Sequence, residues 1–297
     1  MKTNSQTTEK VIQSIFFMIA LASIMILLMI SVFLFMEGIP ILNHVSLWDF
    51  IFGIYWYPTS EPPDFGIYAL IIGSVATTIV SASISIPLGV MTAIYLAEIA
   101  SSRFREIVKP IVELLAALPS VVIGFFGMVV MAPLLQNYLD IATGLNLFNA
   151  SLMLGFMSIP TICSISEDAI YSVPTNLKEA SLALGATHLE TITRVILPAS
   201  ISGISTAVIL GMSRAIGETM VVLMVAGGAA MVPQSIFDPV RPLPASIAAE
   251  MAEAPFRGEH YAALFATGIV LFVFTFIFNL VADYISNKYR QVGDSTL

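Results

Sequence analysis

EASLALGATHLETITRVILP, residues 179–198, is the passage whose reading decides what kind of chain this is. It is the longest moderately polar run in a sequence that is otherwise mostly apolar. Leu177, Ala180, Ser181 and Leu184 recur at i, i+3, i+4 and i+7, which predicts a short helix with one small, apolar face. Gly185 stands where the residue closing that helix must turn left-handed. Thr187 and Glu190 have the T-x-x-E spacing of a capping box, so a second helix is expected at once, with Leu189, Ile192 and Ile196 as its apolar stripe. Pro198 marks the return to an apolar segment. The passage reads as two short helices joined by a glycine elbow, lying outside a bilayer. Its exposed face has no core of its own to bury against, and so wants a partner.

Around it the composition belongs to a membrane. The chain has 297 residues, 57% hydrophobic and only 11% charged, with a mean hydropathy of +0.91. So little charge over this length excludes a soluble globular domain and predicts an all-α, polytopic membrane protein. Six spans are expected, over 11–36, 67–97, 111–135, 147–169, 199–227 and 262–286. The first is too long for a signal-peptide core and lacks a small-residue cleavage site, so it reads as an uncleaved helix. Residues 1–10 and 287–297 are then tails, 37–66 an external loop and 67–286 a core of five spans. Pro87, Pro119 and Pro160 fall inside spans two, three and four, where they are expected to kink the helices.

Basic residues orient the chain. With the N-terminus inside, nine lie in inner segments (Lys2, Lys10, Arg103, Arg105, Lys109, Lys178, Arg194, Lys288 and Arg290), against Arg241 and Arg257 outside. That bias predicts both termini and residues 179–198 in the cytoplasm. The outer loops carry nine acidic residues, a surface that repels free anions and serves either as a solvated face or as a docking face. Trp48, Tyr55, Trp56 and Tyr57 suit a membrane interface. Pro233, Pro239, Pro242, Pro244 and Pro255 stiffen residues 229–261, where 246–254 is expected as a short surface helix.

Several chemistries find no footing. Cys163 is the lone cysteine, in an apolar run, and reads as a small buried hydrophobe. His44, His188 and His260 lie far apart with no ligand-like neighbours, so no metal is expected. There is no basic patch for nucleic acid and no nucleophile–base–orienter set for an enzyme. None of the five lysines follows a glycine, so no phosphate-binding G-x-x-x-x-G-K-[ST] loop exists. If ATP drives this protein, another chain binds it.

Small residues recur at every fourth position in span two (Gly73, Thr77, Ser81, Ser85, Gly89) and span five (Gly203, Ala207, Gly211, Ala215). Such stripes allow close helix approach, as fixed packing or as a moving interface. Span five also holds Arg214 and Glu218 within SRAIGETM. A charge in mid-span costs roughly 3 kcal/mol on insertion scales. Four residues apart on one helix, the two are expected to share a face, although Arg before Glu is the weaker order for an ion pair. They form either a self-neutralising structural pair or an anion pathway, with Arg214 as donor fork and Glu218 holding it when no anion is present.

The spacing Glu179-Ala180-Ser181, Gly185, then Val195-x-Leu197-Pro198 resembles the EAA loop of ABC-importer permeases, E-A-A-x3-G-x9-I-x-L-P, with Ser181 and Val195 as mild departures. The resemblance implies a type I importer permease whose loop at 172–198 docks on a separate ATPase through Glu179, Ala180, Ser181, Leu184, Gly185, Leu197 and Pro198. SRAIGETM, PLGVMTAIYLAE (87–98), LPSVVIGFFG (118–127) and HYAALFATGIVLFVFTFIFNL (260–280) are further similar to phosphate-specific Pst permeases, PstC-type more than PstA-type. That likeness implies a part in phosphate passage for Arg214 and Glu218 alone; Ser213, Gly217 and Thr219, in the same run, are expected beside the route. It also implies a second, PstA-like permease, two ATP-binding subunits that carry ATP and Mg, and an external phosphate-binding protein. Permeases for molybdate, sulfate or phosphonate, and a stand-alone secondary transporter, stay open as alternatives.

Overall fold

The computed structural model describes residues 2–289, and Met1 and residues 290–297, Arg290 among them, lie outside it. Thirteen α-helices make up most of the described chain. They are α1 Lys2–Gly38, α2 Leu47–Phe52, α3 Tyr68–Ile94, α4 Ser102–Ala116, α5 Ser120–Phe126, α6 Ala132–Leu139 and α7 Leu147–Tyr171, followed by α8 Thr175–Ala183, α9 His188–Thr191, α10 Leu197–Ile216, α11 Met220–Val225, α12 Leu243–Glu250 and α13 Glu259–Tyr289. A two-residue hairpin, β1 Trp56–Tyr57 with β2 Asp64–Phe65, is the only sheet among the described residues. Six helical stretches are long and apolar enough to cross a membrane: Glu9–Asn43, Tyr68–Ile99, Ser120–Leu139, Leu147–Tyr171, His188–Ile216 and Glu259–Val281.

The centre of the fold is α3 against α7, with α10 laid on the same face of α7. The small residues of span two explain this. Gly73, Thr77, Ser81, Ser85 and Gly89 are all buried. A β-carbon on Gly89 would stand 2.8 Å from Ile162, and one on Gly211 of α10 would stand 2.5 Å from the same side chain. Hydroxyls add to the contact: Ser151 Oγ donates to the Thr77 carbonyl at 3.2 Å, and Ser158 Oγ to that of Gly211 at 3.3 Å. Within this chain both stripes are therefore packing surfaces, since lipid gives helices no hydrophobic reason to associate. By contrast α1 is held near its C-terminal end, where Phe33 meets Phe265 edge-on and Gly38 closes on Ala266. Its remaining flank, Phe16, Phe17 and Met18 included, is exposed, as expected of a surface solvated by lipid.

Spans three and five differ from their expected course. Residues 111–119 do not open span three. Residues 111–116 finish α4, an amphipathic helix with no buried residue, 117–119 form the elbow, and the span itself begins at Ser120. Pro119 is the N-cap of α5 rather than a kink within a continuous helix. Its missing N–H cannot serve the preceding turn, so the chain breaks there. Span five begins early and ends early: α9, a π-helical turn at Ile192–Ile196 and α10 run together from His188, and the helix stops at Gly217. The second short helix is thus the first turn of the span. The first span is likewise extended, its helix running back through the expected tail to Lys2.

At the acidic end the aromatic cluster is split. Trp48, Tyr55 and Tyr57 are exposed, whereas Trp56 is buried and gives its indole N–H to Glu250 at 2.9 Å. Glu250 also accepts from Arg241 and meets His260 Nε2 at 2.9 Å, so one carboxylate joins the hairpin, α12 and α13. The short surface helix expected over 246–254 lies earlier, as α12 over Leu243–Glu250, and its first turn, Ser246 included, is buried.

Candidate functional site

The elbow after α8 is formed as its sequence demands. Gly185 has φ +87°, and its amide donates to the Leu182 carbonyl at 2.9 Å. Thr187 Oγ1 accepts from the Glu190 amide, and Glu190 Oε2 accepts from the Thr187 amide at 2.9 Å, closing the capping box. Glu179, Ala180, Leu184 and Gly185 are exposed, and Leu184 retains 89% of its accessible surface. Ala180, Leu184 and Gly185, with Leu177, Glu190 and Arg194, border an open groove of about 570 Å³, whereas Glu179 is not on it. Ser181 lies on its floor, hydrogen-bonded to Thr191 Oγ1 at 3.0 Å. Leu197 and Pro198 are not on this groove: Leu197 packs inward against the buried cluster that includes Ile192 and Ile196, and Pro198 occupies the first turn of α10. Leu189 does not join those isoleucines in a stripe, because it is exposed while they are buried.

Two polar ties connect this end to the bundle. Lys178 Nζ meets Glu98 at 2.5 Å, pinning α8 to the π-helical turn Tyr95–Ile99 that ends α3. Arg105 donates to the Leu96 and Ala97 carbonyls at 2.6 and 2.5 Å, and Lys109 bridges buried Glu167 at 3.1 Å and Asp168 at 2.9 Å. Partial burial works against the Lys109 ammonium, but the carboxylates of Asp168 and Glu167 outweigh it and hold its pKa above the ordinary lysine value. Glu167 sits inside the stretch read as span four, and that position was the available signal for it.

The mid-span residues are arranged differently from the sequence expectation. Arg214 and Glu218 do not share a helix face. Gly217 ends α10, and Glu218 lies in the gap before α11, where its Oε1 accepts from the Met220 and Val221 amides at 3.1 and 3.3 Å. Among the described residues no carboxylate forms an ion pair with Arg214. Glu218 is therefore occupied with the free N–H groups that open a helix and does not hold the arginine. The Arg214 guanidinium reaches instead to Thr161 Oγ1 of α7 and to the carbonyl of Ala116, the last residue of α4, each at 3.4 Å. Ser213 turns away and donates to Asn279 of α13 at 2.7 Å, and Thr219 donates to the Gly217 carbonyl at 3.3 Å.

Two helix breaks thus face each other. α4 stops and α5 starts at Pro119, and α10 stops and α11 starts around Glu218. The two short helices pack closely because Gly124 leaves room for Met224 and Val221, and Gly127 for Val225 and Met153. Irregular backbone at membrane depth is tolerated only where protein buries it or where it lines a cavity. Beside the α4–α5 elbow a cleft of about 380 Å³ opens, lined by Leu115, Leu118, Val122, Phe156 and Pro160. Thr161 and the Ala116 carbonyl escaped the sequence reading. Pro160-Thr161 inside a span was a usable signal, but the carbonyl is visible only in three dimensions.

A polytopic helical bundle with broken spans and an exposed capped elbow can be compared with known proteins. The profile of the family described as "Binding-protein-dependent transport system inner membrane component" matches residues 85–291. The chain belongs to this family. A probable ABC transporter permease protein, YqgH of Bacillus subtilis, is 39% identical to this permease over 261 residues, covering 87% of this chain and 84% of that protein. The phosphate transport system permease protein PstC of Haemophilus influenzae is 31% identical over 287 residues, covering 88% and 90% respectively. In fold, this permease is similar to the inward-facing MetNI methionine ABC transporter (TM-score 0.61, 19% identity, 76% of this chain and 96% of that one). It is similar also to a bacterial alginate ABC transporter (TM-score 0.57, 17% identity, 76% and 80%). It is thus the membrane component of an ABC importer and not its ATPase.

Proposed function

We propose that this permease carries inorganic phosphate into the cell as the PstC-type subunit of an ATP-driven importer. The observation that carries the reading is Arg214, a guanidinium in mid-bundle with two long neutral contacts and no carboxylate on it. An arginine so placed keeps its planar fork of donors available, and that fork matches an oxyanion. Support for phosphate among oxyanions comes from the relatives named PstC, such as those of Mesorhizobium japonicum and Haemophilus influenzae at 35% and 31% identity, and from the SRAIGETM run itself.

In this reading the groove around Leu184 and Gly185 receives an ATP-binding subunit, which supplies ATP and Mg. The Lys178–Glu98 tie passes its displacement to the end of α3. A second, PstA-like permease completes the pore, and an external phosphate-binding protein delivers to the acidic end. Both termini and the elbow face the cytoplasm, in line with the bias of basic residues. Arg214, Gly217, Glu218 and the elbow at Pro119 line the route, with Ser213 and Thr219 beside it.

Uptake of labelled phosphate into proteoliposomes holding the full importer, in competition with sulfate, molybdate and phosphonate, tests the substrate. Phosphate is expected to be carried and the others not to compete. Competition by molybdate or sulfate at equal concentration would reassign the substrate within the family. Orientation is tested by single cysteines in a chain lacking Cys163. Ser60→Cys, exposed in the hairpin loop, is expected to react with an impermeant thiol reagent in intact cells, and Thr187→Cys to stay unlabelled.

A further inference from the structure

Thr161 is the residue that the site uses and that no sequence motif marks. Hydroxyls on membrane helices ordinarily return their hydrogen to a carbonyl three or four residues back. In this chain Thr77, Thr92, Thr193, Thr267 and Thr275 all do so, at 2.7–2.9 Å. Thr161 does not. Among the described residues its hydroxyl makes one contact, accepting from Arg214 Nη1 at 3.4 Å, and its hydrogen is given to nothing. It follows Pro160 on α7, and both the preceding proline and the packing of Ile162 against Gly89 and Gly211 fix where that turn of helix stands. Thr161 is half-buried, as is Arg214.

We infer that Thr161 is a second anion-contacting residue of this permease, donating its hydroxyl hydrogen to the oxyanion that Arg214 binds and accepting from Arg214 between passages. The inference rests on the anion-route reading above and deepens it. A guanidinium alone gives an anion one planar fork. A hydroxyl beside it adds a donor from a different helix, and a tetrahedral oxyanion has oxygens out of the guanidinium plane to receive it. Both existing Arg214 contacts are at the long limit of hydrogen bonding, so little is lost when an anion displaces them. The hydroxyl can then rotate from acceptor to donor without any movement of α7. Because it can also accept, it suits an oxyanion that still carries a proton, as phosphate does near neutral pH.

The test uses the complete importer in proteoliposomes, with labelled phosphate, sulfate and molybdate offered first to the unmodified protein. Thr161→Val, close to threonine in shape, and Thr161→Ser are then assayed on the anion that is carried, per assembled complex. Thr161→Ala stands in if the valine variant does not assemble. Loss of one hydrogen bond to a charged group is expected to lower uptake roughly ten-fold or more in Thr161→Val. Serine should return uptake to within about two-fold. ATP hydrolysis stimulated by the loaded binding protein should stay unchanged, which a merely structural defect would not leave intact. Unreduced uptake in Thr161→Val, or equal loss in the serine variant, would overturn the inference. Arg214→Lys, run in parallel, separates the two readings. If it is inactive while Thr161→Val is normal, only the role of Thr161 falls. If it transports normally, or if none of the three anions is carried, the anion route falls as well.

Discussion

Arg105 and Arg214 each approach carbonyls at a helix end, and they do so on opposite terms. Arg105 takes the Leu96 and Ala97 carbonyls at 2.6 and 2.5 Å, has Glu167 at 3.9 Å, and stacks over Tyr171 with its guanidinium carbon 5.5 Å from the ring centre. Arg214 has one carbonyl and one hydroxyl, both at 3.4 Å. The first spends its donors on holding α3, α4 and α7 together. The second leaves most of its donors unspent in a place where an unspent charge is costly. A fold that can satisfy one arginine so fully has no general difficulty with arginines, so the loose environment of Arg214 is a property of its site.

Stability measurements test the contrast between the two arginines. Glu167→Ala removes the buried partner of Lys109 and Arg105 and is expected to destabilise the chain by about 3–5 kcal/mol. Thermal unfolding in detergent should show a much lower midpoint and less chain recovered from membranes. Arg214→Met is expected to unfold close to the unmodified protein. Equal destabilisation by the two would make Arg214 a clamp like Arg105. Lys178→Glu should cut coupled uptake by placing like charges at Glu98, and the exchange Lys178→Glu with Glu98→Lys should recover it. Failure of the exchanged pair to recover would remove that tie from the transmission of force. Gly185→Asp asks a side chain to adopt a left-handed backbone, at about 1 kcal/mol. Apart from its own chain neighbours, no described residue lies within 4 Å of the added β-carbon. The variant should therefore insert normally and fail in coupling ATP hydrolysis to uptake. The smallest effect is expected of Trp56→Phe, about 1 kcal/mol, since Glu250 keeps Arg241 and His260 when the indole N–H is lost.

How far the sequence could be read follows from the range of the interactions involved. The elbow was legible down to the sign of φ at Gly185 and to both bonds of the capping box, because every partner lies within a few residues. The all-α, six-span architecture was legible because lipid leaves apolar chain few choices. The break at Pro119 was misread as a kink. Hydropathy continues through Ile111–Val112 and Leu114–Leu115, and only the packing of α4 along the outside of α7 shows that these residues belong to another helix. The Arg214–Glu218 pairing failed for a similar reason. Helical spacing put them on one face, but the helix ends at Gly217 and Glu218 is drawn to the open amides of α11. Leu189 was misassigned because the π-helical turn at Ile192–Ile196 shifts the phase of the face it would have shared. Thr161 and Ala116 come from other helices: the first is marked locally only by the preceding Pro160, and the carbonyl of the second leaves no trace in local pattern.

The central claim is that the Arg214 fork meets the transported anion, and the most direct measurement is phosphate uptake by the Arg214→Lys importer, normalised to complex captured through the ATP-binding subunit. Lysine keeps the charge and loses the fork. With capture and thermal midpoint unchanged, uptake is expected to fall at least ten-fold, and the double change Arg214→Gln with Glu218→Gln is expected to assemble yet carry no phosphate. Uptake by Arg214→Lys near the unmodified rate, or its recovery in the double variant, would contradict the account and leave Arg214 as a structural residue.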